Sequence, residues 1–294
     1  MSLRAALDEV GAGIDRAFDG LLAVPRDPRA RLYEAMRYAA IGGGKRIRPM
    51  LVVAACDLFR VDRERAMRVA LAVECIHVYS LIHDDLPSMD DDDLRRGKPT
   101  LHRAFEESTA ILAGDSLHAL AFEILADEAT HEDPFVRAEL VVELARASGP
   151  AGMAGGQMMD QTAAEMELDH AAVTRLQQLK TGALIGWCVE AGAIMGRVPA
   201  EGRKALRGFA RDVGLAFQIV DDLIDHEGAE EKAGKRVGKD VAAGKQTFVS
   251  LLGPERARLQ ADMLIGQAIE QIQAFGEEAD LLRAVARFAV ERDH

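Results

Sequence analysis

The stretch VALAVECIHVYSLIHDDLP, Val69–Pro87, decides the fold. Apolar side chains at Val69, Leu71, Val73, Ile76, Val78, Leu81 and Ile82 recur at three- and four-residue spacing and wrap nearly the whole helix circumference. That pattern predicts a helix buried at the centre of a bundle. The helix runs straight into His83-Asp84-Asp85, and Pro87 forbids its continuation, because proline lacks the N–H and its ring disfavours helix in the residue before it. A second apolar helix, roughly Lys204 to Asp225, carries Phe209, Val213, Leu215, Phe217, Val220 and Leu223 and also ends in carboxylates.

Outward from these two, stretches near 104–127, 136–148, 171–195 and 248–292 read as further helices, separated at Gly149-Pro150 and at the glycines of 152–156. Aromatics are only 5% of the chain while Ala, Leu, Met, Glu and Arg abound, which favours helix over sheet. The 294 residues, 49% apolar, can bury a large core, and no linker-like tract or repeat interrupts them. The expectation is an all-α fold, a bundle of mostly antiparallel helices formed by residues 1–294 as one domain.

The two acidic tips carry the chemistry. Asp221 and Asp225 are four apart, about 40° around a helix, and share a face where like charges repel unless a cation joins them. Hard divalent Mg²⁺ suits such a pair, since it keeps waters and commonly links one or two carboxylates to substrate phosphates. Asp84 and Asp90 lie six apart, on different faces of any continuous helix, so Pro87 must open the helix for the chain to loop Asp90 back beside Asp84. The bland alternative for Asp90 to Asp93, weightier for Asp91 to Asp93, is a solvated acidic loop.

Basic residues accompany the acids at Lys45 to Arg48, Arg95 to Lys98 and Lys235 to Lys245, although the formal net charge is -12. GGGKRIRP, Gly42–Pro49, is not a P-loop, because it lacks the GxxxxGK[ST] spacing, yet Lys45 and Arg48 near a glycine turn and a helix start can converge on an anion. The acidic balance argues against nucleic acid as a partner. Cys56, Cys75 and Cys188 show no paired spacing, which fits a reducing cytoplasm, and the N-terminal stretch with Asp8, Glu9 and Asp15 lacks a signal-peptide core. No apolar run approaches the ~18 residues expected of a membrane span, so stable membrane insertion is not expected.

Together GGGKRIRP, ECIHVYSLIHDDLPSMDDDDLRRGKPT (Glu74–Thr100), GDSL (114–117), GQMMD (156–160), KTG (180–182) and FQIVDDLIDHEGAEEKAGKRVGKD (Phe217–Asp240) resemble the trans-prenyl diphosphate synthase family, in its bacterial farnesyl diphosphate synthase branch. The resemblance implies an isoprenoid-synthase bundle around a central cavity, usually homodimeric, with the acidic clusters facing across its mouth. It implies that three Mg²⁺ ions bridge them to an allylic diphosphate, dimethylallyl or geranyl, which ionises and is attacked by isopentenyl diphosphate. By motif match, Asp84 and Asp90 bind two ions and Asp221 the third, with Asp85, Asp222 and Asp225 in direct or water-mediated support. Arg95, Lys180, Thr181, Gln218 and Lys235 are similar to the groups that hold the allylic diphosphate, and Lys45, Arg48, His77 and Arg96 to those that hold isopentenyl diphosphate. By the same resemblance Asp84, Asp90, Asp221, Lys180 and Arg95 are expected to form the catalytic set. Of these positions, His77 shares a face with Asp84 seven residues on, and Gln218 with Asp221.

Tyr79, with small Ser80 beside it, is the candidate floor that sets product length, and Pro87-Ser88 within the acidic motif goes, by the same resemblance, with a farnesyl product. The rivals are a geranylgeranyl diphosphate synthase, which shares every catalytic motif, and a non-catalytic regulatory subunit of a heteromeric synthase. The intact acidic clusters disfavour the latter. The chain ends Glu291-Arg292-Asp293-His294, without the basic terminus that closes the site in many members.

Overall fold

The structure is a computed structural model that describes residues 2–163, 168–227 and 246–291. It is all-α, as the periodicity predicts. In chain order the elements are α1 (Leu3–Leu21), α2 (Ala30–Ala40), α3 (Ile47–Leu58), α4 (Arg63–Asp84), strands β1 (Leu94–Arg95) and β2 (Lys98–Pro99), α5 (Leu101–Ala104), α6 (Glu107–Ala126), α7 (Pro134–Ser148), α8 (Met153–Thr162), α9 (His170–Gln177), a π turn (Gln178–Gly182), α10 (Ala183–Met195) and α11 (Lys204–Glu227). Helices Phe248–Leu252, Pro254–Gln271 and Asp280–Val290 complete the order.

The residues group into two compact units, Met1–Val53 with Asp62–Val141, and Ala54–Val61 with Val142–His294. In the first, α4 packs most extensively on α6, and α1 and α2 add to the same core. The Asp62 side chain caps α4 by accepting from the amides of Glu64 and Arg65. Val69 through Ile76 are buried without a break, so this helix is surrounded by protein, as its all-round apolar character demands. Val10, Ile14 and Phe18 bring a four-residue apolar stripe of α1 to the same unit.

Contrary to the expectation from apolar runs, α4 and α6 are each long and apolar enough to cross a membrane, although most of the α4 window is buried inside protein. In the second unit α11 lies chiefly against helix Pro254–Gln271, and also against α10 and the π turn.

Candidate active site

The acidic tip of the first unit forms as Pro87 requires. Helix α4 ends at Asp84, and Asp85 is its cap. The chain then turns back: the Asp90 amide donates to the Asp84 carbonyl at 2.8 Å, the Asp91 amide to Leu86 at 3.1 Å, and the Asp92 amide to Asp85 at 3.3 Å. Asp90 therefore returns to the helix end. The later acids are not one solvated loop, because Asp92 is buried and its carbonyl accepts the Thr100 hydroxyl, while Asp93 pairs with Arg103 at 2.6 Å.

Asp85 is buried, and both its oxygens accept from Arg95 Nε at 2.8 Å, with Nη2 at 2.6 Å from Oδ1. Burial raises the Asp85 pKa above the ordinary carboxylate value despite the opposing pull of Arg95. Burial is the largest single influence on Arg95 and works against its charge, but Asp85, Asp84 and Asp90 together outweigh it and raise the guanidinium pKa. Asp85 thus orients Arg95.

Arg95 and Lys98 pair across a tight hairpin whose two central residues, Arg96 and Gly97, have φ of 53° and 73°. Two consecutive positive values are what a type I′ turn needs. The turn carries Arg96 to the glycine loop before α3, where a Cβ at Gly44 would fall 2.6 Å from an Arg96 guanidinium nitrogen. Gly44 itself has φ of 86°, so a side chain there would be strained and would also displace the Arg96 guanidinium.

His77 sits among this positive charge. Its pKa is held well below the usual imidazole value first by burial and then by Arg48, Arg96, Arg95 and Arg46, so the ring stays neutral. Desolvation also lowers the Arg96 pKa; Glu74 opposes the shift, and Arg46, Arg95 and Arg48 add to it. Guanidiniums gathered this closely invite a polyanion. A cavity of about 100 Å³ opens beside them, with Gly42, Gly43, Arg95 and Arg96 on one side and Val78, Leu81, Ile82 and Leu101 on the other.

Tyr79 is partly buried, and its ring meets His118 edge-on at 4.8 Å and His83 at 5.6 Å. Phe122 backs His118 at 5.1 Å. Ser80 donates back to the His77 carbonyl at 2.8 Å. The glycine of GDSL has a local reason: a Cβ at Gly114 would collide with the His83 ring.

In the second unit, Gln218, Asp221 and Asp225 are partly exposed on α11, while Asp222 is buried. Asp222 Oδ1 accepts from Gln218 Nε2 at 3.0 Å and Oδ2 from the Phe248 amide at 3.1 Å, so this carboxylate is spent on protein donors. Gln218 Oε1 accepts the Thr181 hydroxyl at 3.0 Å. Thr181 and Lys180 lie in the π turn, a wide turn frequent at functional sites. Lys180 Nζ donates to Asp160 Oδ2 at 2.8 Å. A Cβ at Gly156 would stand 2.2 Å from the Lys180 amide nitrogen, so the glycine of GQMMD lets α8 touch the turn and the aspartate one turn later receives the lysine. Lys235 lies outside the described residues, as do 292–294.

Sequence reasoning did not single out Asp160 as the partner of Lys180, nor Arg46, Glu74, His83 and His118.

Among the described residues, helices tipped with carboxylates and a cluster of guanidiniums are the features that the comparisons with known proteins place in a family. Residues 29–287 match the family description polyprenyl synthetase, and the chain belongs to that family. It is 46% identical over 270 residues to a farnesyl diphosphate synthase of Escherichia coli, covering 88% of this chain and 89% of the relative. It is 44% identical over 274 residues to geranylgeranyl pyrophosphate synthase 11 of Arabidopsis thaliana, covering 91% and 76%. Among solved structures, an FPP/GFPP synthase from Zymomonas mobilis superposes with a TM-score of 0.89 at 59% identity over 98% of both chains. A geranyltransferase from Helicobacter pylori, complexed with magnesium and isoprenyl diphosphate, gives 0.81 at 33% identity, covering 97% of this chain and 96% of that one. The protein is a short-chain prenyltransferase.

Within neither unit do the described acids, histidines and cysteines form a preformed metal cage. Taken unit by unit, Asp84 with the Asp90 backbone folded back to it, and Asp221 with Asp225 one turn on along α11, are each carboxylate pairs of the all-oxygen type that Mg²⁺ accepts when phosphates and water complete its shell. The chemistry of each pair suits the ion.

Proposed function

We propose that this chain is a Mg²⁺-dependent farnesyl diphosphate synthase that joins isopentenyl diphosphate to dimethylallyl or geranyl diphosphate. The observation that supports the reading is the return of the Asp90 backbone to the end of α4, which brings together two acids that a straight helix would splay. Asp84, Asp90 and Asp221 would hold the ions, three by family analogy, with Asp225 in support. Bound Mg²⁺ supplies charge that stabilises the departing diphosphate.

This chain's own residues do the rest. Arg95, oriented by Asp85, and Lys180, held by Asp160, would give cations to the allylic diphosphate, and Thr181, hydrogen-bonded to Gln218, would join Lys180; Lys235, outside the described residues, is assigned the same role by family resemblance alone. Their fixed charge stabilises the leaving group without reorganising when the C–O bond breaks. Lys45, Arg48, His77 and Arg96 hold the diphosphate of the second substrate, and the apolar Val78, Leu81 and Ile82 offer a dry wall for a short hydrocarbon. The neutral His77 ring can hydrogen-bond without adding to the repulsion among the guanidiniums. The proton lost after condensation goes, by family analogy, to the departed diphosphate.

Incubation with Mg²⁺, isopentenyl diphosphate and each allylic starter, followed by chromatography of the dephosphorylated alcohols, tests the reading. A fifteen-carbon alcohol supports it; a twenty-carbon product would make the chain a geranylgeranyl synthase, and no condensation would refute catalysis altogether. A cytoplasmic homodimer is part of the same proposal, checked by light scattering of the purified protein and by fractionation of cells.

A further inference from the structure

Arg46 lies between Lys45 and Arg48 in the glycine loop, yet it is the cation of that loop that turns inward. It is 5% exposed, its backbone φ is 49°, and its carbonyl accepts the Met50 amide at 3.0 Å at the start of α3. A non-glycine residue in the left-handed region persists only when its surroundings hold it there.

The surroundings are specific. The guanidinium donates to Glu74 of α4, to Asp15 Oδ1 of α1 at 2.7 Å and to the Ala40 carbonyl at the end of α2 at 2.6 Å. Asp15 Oδ2 accepts the Gly42 amide at 3.2 Å, so one carboxylate ties both ends of the loop 42–46. Glu74 is 1% exposed, and its other carboxylate oxygen is buried without a hydrogen-bond partner among the described residues. Three residues on from Glu74, on the same helix face, comes His77. Arg48 Nε is likewise buried and lacks a partner.

We propose that Arg46, locked by Glu74 and Asp15, is a positioning residue that holds the glycine loop in the shape that lets Lys45 and Arg48 receive isopentenyl diphosphate. The inference rests on the reading above that these two residues bind that substrate. Gly42 and Gly44, with φ of 77° and 86°, leave the loop many alternative shapes when the tie is cut. Cutting it therefore weakens one substrate selectively, because Arg46 touches neither diphosphate.

The test compares wild type with Asp15→Asn, Glu74→Gln and Arg46→Lys. Expected is a rise of about ten- to a hundredfold in KM for isopentenyl diphosphate, the upper figure being what a misplacement of about 1 Å can cost. KM for geranyl diphosphate and kcat at saturation should stay near wild type. A fall in melting temperature with both KM values unchanged, or raised together, overturns the proposal and leaves Arg46 a purely structural residue. Glu74 is deeply buried and its variant can fail to fold; Asp15, at the surface end of the tie, keeps the question answerable. If wild type condenses nothing, the catalytic reading fails, and calorimetric titration with isopentenyl diphosphate alone decides the loop: weaker binding by Asp15→Asn supports the proposal, and equal binding or no binding by wild type overturns it.

Discussion

The backbone nitrogen of Asp90 lies 2.8 Å from the carbonyl oxygen of Asp84, so the chain between them forms a closed loop at the tip of α4. Two acids six residues apart thereby become neighbours. Replacing either by Ala should lower kcat by about 10²–10³-fold, the cost of losing one preorganised electrostatic contact to a leaving group. Asp221→Ala should do the same. Asp91→Ala, at an exposed position, should leave turnover near wild type. A titration of rate against Mg²⁺ concentration separates metal loss from unfolding: the Asp84 and Asp90 variants should need more Mg²⁺, and equal requirements would remove these residues from the metal site.

Arg95→Ala strips the buried Asp85 of its guanidinium. Because breaking one partner of an ion pair leaves the other charge desolvated, and Arg95 keeps some solvent access, unfolding free energy in urea should fall by about 2 kcal/mol. Arg95→Lys loses the two-pronged geometry and should recover only part of that stability and activity.

His77 gives acid sensitivity with a definite sign. Its folded pKa is depressed, so below the unfolded value of about 6.5 the unfolded chain takes up a proton that the native ring refuses. Stability from this residue is complete above that pH and falls as the solution is acidified, by at most about 1.4 kcal/mol per pH unit. His77→Gln should flatten the decline in urea midpoint between pH 7 and pH 5. A decline as steep as in wild type would place the titrating group elsewhere.

Tyr79 is braced edge-on by His118 and His83. Tyr79→Ala should shift the product toward longer chains, read by mass spectrometry of the alcohols. Unchanged chain length would refute its assignment as the floor.

Gly156→Ala should cost about 2 kcal/mol of stability through overpacking against the Lys180 backbone, together with reduced turnover as the π turn is displaced. Thermal unfolding and kcat, measured together, check both effects.

Much of this was legible in the linear chain. The circumference of apolar residues from Val69 to Ile82, the carboxylates after it and the break at Pro87 each act within a few residues, so α4 and its folded-back loop follow from local rules. The same holds for α11, whose apolar stripe leads to Asp221 and Asp225 and which is helical through Glu227, the last residue described before 246. Less visible were the hairpin at Arg96-Gly97, hidden by an otherwise helical composition, and the π turn at Gln178–Gly182, which splits an expected continuous helix at 171–195.

The amino-acid order by itself determined the helical class, the two acidic tips and the run of cations that share their chemistry, because periodicity, proline geometry and charge spacing are short-range properties. Tertiary structure decided that Asp85 orients Arg95, that Asp222 is consumed by Gln218 and Phe248, that Asp160 receives Lys180 and that Arg46 turns inward while Lys45 stays exposed. Most of those outcomes depend on which desolvated charge finds which partner ten or more residues away along the chain, and only the packed helices settle that competition.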